Sequence, residues 1–237
     1  MKTLNSIQHH FRFATSTRIV LPQVVAVLGL AVIPIALVAM VSLWYNIPLR
    51  NFVSDPVAIL KKPFYFGLLS QLGIFIWAAM VAVCFLTANV LTLHAKKHPI
   101  RRFFLWSGLF VLLLGLDDAF LFHDQVLPKY LGIPEIFAYT LYAGLAVAYL
   151  WAFRKIILRS DYTFLALALV SFALSVGLDV FIHSYIAAYL FEEGFKFIGL
   201  VAWLAYFWQF AVSSLRSDDR LTRPTQVGSS LLTPTRR

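Results

Sequence analysis

Charge is scarce in this chain, and cysteine almost absent. Only 13% of its 237 residues are charged, against 60% hydrophobic, and the mean hydropathy is +0.79. That balance excludes an ordinary water-soluble domain, in which about a quarter of the residues carry charge. The single cysteine, Cys84, lies inside an apolar run, so there is neither a disulfide framework nor a Cys-based zinc knuckle. His-Glu-x-x-His, Gly-x-Ser-x-Gly and a Gly-rich phosphate loop are all missing. The hydrolase and nucleotide-binding classes that those motifs mark are excluded at motif level. The apolar runs also lack the strict alternation of a transmembrane β-barrel.

What the chain does have is six long apolar runs, at 20–45, 65–92, 103–123, 135–153, 162–186 and 193–214. Each approaches or exceeds the roughly 20 residues that carry a helix across about 30 Å of hydrocarbon. The reading is an all-α fold, a polytopic membrane helix bundle with six transmembrane helices. Residues 1–18 form a lead-in, 19–214 one membrane domain, and 215–237 a basic, Pro-interrupted tail whose composition predicts disorder. The first run starts late and has no small-residue cleavage site after it, so it reads as a span rather than a signal peptide. Between the first two runs, Ser54-Asp55-Pro56 predicts a short helix, capped by Asp55 and stopped by Pro63.

The net charge of +9 does not point to nucleic acid, because the basic residues sit in short loops and tails. Threading six spans leaves only Arg50, Lys61, Lys62, Lys129 and Lys196, of 20 basic residues, on the side away from the termini. By the positive-inside rule, the N and C termini are cytoplasmic. The short basic loops fit a bacterial inner membrane. The acids invert the pattern. Of 11, only Asp161, Asp218 and Asp219 share the side of the termini. Acidic residues contribute little to topology, so their gathering in the outer half calls for a polar site there.

The residues that define it are Gly115-Leu116-Asp117-Asp118-Ala119-Phe120-Leu121-Phe122-His123 and a near-echo, Gly177-Leu178-Asp179-Val180-Phe181-Ile182-His183. An ionisable group near the bilayer centre costs about 2.5–3.5 kcal/mol on insertion scales, so such groups face a protein interior. Runs three and five both point outward. Their Asp118/His123 and Asp179/His183 pairs therefore lie at matching depth, each carboxylate about 6–8 Å deeper than its imidazole.

Asp179 and His183 are four apart and share a helical face. Asp118 and His123 are five apart and meet only if the helix unwinds or forms a π-bulge. Glu192, Glu193 and Lys196 open the sixth run, where acids also suit a helix N-terminus. Lys196 is then either the i,i+4 partner of Glu192 or a counter-ion that keeps nearby carboxylates charged.

Two imidazoles and several carboxylates suit zinc, manganese or iron. The expected metal ligands are His123, Asp179 and His183, with Asp118 and Glu193 as catalytic carboxylates that work on a metal-activated water. An opening toward the outer leaflet makes a lipid or other amphiphile the expected substrate of such a membrane enzyme. Two other classes use the same residues. A proton- or cation-coupled transporter builds relays from intramembrane acids and histidines. A non-catalytic subunit of a membrane complex would hold haem or another pigment between His123 and His183.

Overall fold

The computed structural model describes residues 17–92, 99–181 and 186–222. They form helices and turns, with no strand among the described residues. The chain divides into two units, Met1–Phe66 and Gly67–Arg237. In the first, α1 (Thr17–Tyr45) is followed by two single-turn helices, α2 (Arg50–Val53) and α3 (Pro56–Ile59). The expected cap of α3 is present: the Ala58 N–H donates to the Asp55 carboxylate at 3.1 Å, and Pro56 stands first in the helix. α3 ends before Lys61, which has φ of 51°.

The second unit holds α4 (Leu68–Thr92), α5 (Pro99–Phe120), a π-turn (Phe122–Val126), α6 (Leu127–Leu131), α7 (Glu135–Ile157), α8 (Thr163–Phe181) and α9 (Ile186–Thr222). α4 packs on α5 and α9, and α8 packs on α9. By contrast, α7 packs more sparsely, chiefly on α5 and the π-turn. α9 continues to Thr222, past the end of the sixth expected span.

These helices are apolar on all sides, as lipid requires, so the core face is set by what packs closely rather than by an apolar stripe. The buried positions recur every three or four residues. They are Trp77, Met80, Cys84, Ala88 and Leu91 on α4, and Leu200, Trp203, Phe207, Ala211 and Ser214 on α9. Small residues occupy the seams, because two helices in lipid gain most where their backbones approach closely. A Cβ added at Gly108 of α5 would stand 2.9 Å from the Phe85 ring and 3.2 Å from Cys84 Cβ. Gly108→Leu is therefore expected to force α4 and α5 apart and to destabilise the bundle by about 1–3 kcal/mol. A thermal unfolding midpoint in detergent checks this, and an unchanged midpoint would mean the seam is loose.

Among the described residues, five helices are long and apolar enough to cross a membrane: Val27–Tyr45, Leu68–Leu91, Pro99–Phe120, Glu135–Ile157 and Leu190–Arg216. The apolar segment Thr163–Leu178 is shorter within the described residues. The third helix ends at Phe120 rather than His123 because Leu121 takes a left-handed conformation, φ 53°, and breaks it. A left-handed non-glycine residue costs about 1–2 kcal/mol, so the contacts made beyond the break must offset it.

Candidate functional site

Asp117 and Asp118 occupy consecutive positions in the last turn of α5. Neighbours on a helix are rotated by about 100°, so the two carboxylates look in different directions. Anions are also disfavoured at a helix C-terminus by its dipole. Each therefore needs a donor set of its own, and each has one.

Asp117 is buried, with 5% of its surface exposed. Its Oδ1 accepts from the backbone N–H of His123 at 3.1 Å and from the Tyr142 hydroxyl of α7 at 2.7 Å. Its Oδ2 pairs with His123 Nδ1. The break at Leu121 makes this possible. The chain turns back through the π-turn, where the amides of Gln125 and Val126 donate to the Leu121 carbonyl at 2.8 and 3.1 Å. That turn delivers both donors of His123 to a carboxylate six residues earlier. The Tyr139 ring lies against the imidazole, with centroids 5.4 Å apart, and its hydroxyl donates to Glu135 at 2.8 Å.

His123 lies beyond the end of the third spanning helix, with its side chain 20% exposed. The Asp117 carboxylate at Nδ1 raises its pKa above the ordinary 6.5, against the opposing effect of partial burial. With Nδ1 engaged, Nε2 is the ring nitrogen left for a reactant. A carboxylate that fixes one imidazole nitrogen and presents the other is the arrangement found behind both general bases and metal-ligating histidines.

Asp118 faces the other way, toward α4 and α9. The Trp77 indole N–H donates to its Oδ2 at 3.0 Å, and Lys196 Nζ pairs with its Oδ1. Beside this pair is a cavity of about 10 Å³ lined by Ser70, Asp118, Glu193 and Lys196 among apolar neighbours. That is room for about one water molecule.

The structure thus brings Asp118, Glu193 and Lys196 together, and sets Asp117 with His123 on a different side of α5. The expected pairing of His123 with Asp118 does not form. The helix does unwind near His123, but it carries the imidazole to Asp117. Lys196 bonds Asp118, in keeping with the counter-ion reading. No group of three or more His, Cys, Asp or Glu side chains converges among the described residues. Asp179 lies in the last turn of α8, but its side chain and the whole of His183 lie outside the described residues.

Sequence reasoning passed over Tyr142, Trp77 and the leading role of Asp117. Tyr142 and Trp77 are ordinary membrane-helix aromatics until a fold aims them at a carboxylate. Asp117 had a signal in its adjacency to Asp118, because two adjacent acids on one helix need two separate donor sets.

Apolar helices of spanning length, carrying a polar cluster where α5 breaks, define the class as an all-helical, multi-pass membrane type. The chain belongs to the family described as a domain of unknown function, DUF8692, which matches residues 24–210. No curated protein and no solved structure shows significant similarity to the chain.

Proposed function

We propose that this chain is a six-span protein of a bacterial inner membrane, with both termini cytoplasmic, and that it is an enzyme acting on a lipid or other amphiphile at the outer leaflet. The span that this reading adds to the five is α8 with the residues that follow it, the fifth in chain order. The observation that carries the enzyme reading is the Asp117–His123 pair at the break after α5. Asp117 fixes the imidazole through Nδ1, and Nε2 accepts a proton from water or from a substrate hydroxyl at the membrane boundary. Tyr142, donating to Asp117, holds the carboxylate in place and acts as a positioning residue.

The same Nε2 suits a divalent metal, with zinc, manganese or iron the matching class. In that case Asp179 and His183 are the proposed further ligands, and Asp118 and Glu193 the proposed carboxylates. The base must be unprotonated to act, so activity is expected to rise with pH through the raised pKa of His123. Reconstitution in vesicles of mixed lipid classes, followed by mass spectrometry of the lipids, tests the reading. Metal content of the same preparations is measured in parallel. The expected result is a lipid product whose rate of formation falls by about 10²–10⁴-fold in His123→Ala, the usual scale of general-base loss. Metal-free protein that leaves every lipid class intact at all pH values would overturn it.

Coupled proton or cation transport is the second reading. It is favoured by the water-sized cavity that Asp118, Glu193 and Lys196 share. Flux across the same vesicles, lost in Asp118→Asn, would put it first.

A further inference from the structure

Away from the Asp117–Tyr142 contact, α5 and α7 separate around a groove of about 710 Å³, within the roughly 300–1,000 Å³ of small-ligand sites. Its shape has a local cause. Ala148 and Ala152 are four apart on one face of α7 and leave that wall shallow, while Trp106 and Leu113 of α5 stand opposite. Tyr149 forms part of the wall and crosses to α5, where its hydroxyl bonds Ser107 at 2.5 Å. The same ring stacks on Phe110 with centroids 5.3 Å apart. Its one polar atom is thereby engaged, and the wall is apolar in effect.

Among the described residues, one cation lines the groove. Arg102 is exposed at one end of it and has no ion-pair partner among the described residues. From Arg102 to Leu113 the helix rises about 16 Å, close to half of the roughly 30 Å hydrocarbon thickness. A slot with a cation at its rim and apolar walls for the depth of one leaflet matches a phospholipid with an anionic headgroup.

We propose that this groove holds an anionic phospholipid of the leaflet that Arg102 faces, with an acyl chain along Ala148 and Ala152 and its phosphate on Arg102. The inference needs the chain to lie in a bilayer, but it does not depend on the chemistry assigned to His123.

Native mass spectrometry of the full chain tests it, using nanodiscs of phosphatidylglycerol mixed equally with phosphatidylcholine. Wild type is expected to retain one phosphatidylglycerol molecule in preference to phosphatidylcholine. Arg102→Gln should lower that preference about fivefold, the effect of one cation near an anionic headgroup. Ala152→Phe fills open space rather than packed core, so it should lose the bound lipid while keeping its thermal midpoint. Equal retention of the two lipids, or an Ala152→Phe variant that still holds its lipid, would overturn the proposal. So would an Ala152→Phe variant that turns a dimer into a monomer, because the groove would then be a contact between copies of the chain.

Discussion

Lys196→Met is expected to lower stability by about 3 kcal/mol, the lower end of the range for removing one partner of a buried ion pair. The Lys196 side chain is 30% exposed, which argues against the upper end. Without the ammonium, Asp118 is left with the Trp77 indole N–H as its donor, in a pocket whose other acid is Glu193. The double variant Asp118→Asn/Lys196→Met removes both charges and is expected to recover most of the loss, since buried ion pairs often exchange for neutral groups at little cost. Unfolding midpoints of the two variants in the same detergent decide the matter. If the double variant is as unstable as the single one, Lys196 acts through packing and the ion pair contributes nothing.

The second large effect is expected from Asp117→Ala. The substitution strands the Tyr142 hydroxyl and both donors of His123. Side-chain hydrogen bonds in membrane proteins average only about 0.6 kcal/mol, whereas donors left unsatisfied in a buried site cost about 1–3 kcal/mol each. A total near 3 kcal/mol follows, together with loosening of the turn that Leu121 begins.

The pH dependence has a definite sign. The pKa of His123 is raised in the folded protein, so its pairing contributes fully below the unfolded value of about 6.5. That contribution is lost as pH rises through the folded pKa. Wild type should therefore lose stability over that interval, while Asp117→Ala should be flat across it. Asp117→Asn separates charge from shape, keeping an acceptor for Tyr142 but leaving His123 near its ordinary pKa. An imidazole NMR titration reads this directly. A His123 pKa that does not fall in Asp117→Asn would mean that the carboxylate does not control the ring.

Much of the helical plan was legible because lipid imposes it. A segment that crosses hydrocarbon must satisfy its backbone internally and keep an apolar surface, so runs of apolar residues mark helices without any knowledge of their neighbours. Short-range chemistry was legible for the same reason. Asp55 before Pro56 announces a capped helix start.

The faces of those helices were not legible. With every side apolar, no periodicity separates Met80 from Leu86, yet one is fully buried and the other 66% exposed. The partners of the acids were hidden in the same way. Sequence alone placed Asp117, Asp118, His123, Glu193 and Lys196 near one end of the chain's helices, since charge in an apolar run must gather somewhere polar. Only the tertiary structure decided that Asp117 takes His123 and Tyr142 while Asp118 takes Lys196 and Trp77. The left-handed turn at Leu121 redirects the imidazole, and a rotation of about 100° between neighbouring residues sends the two carboxylates to different sides of α5.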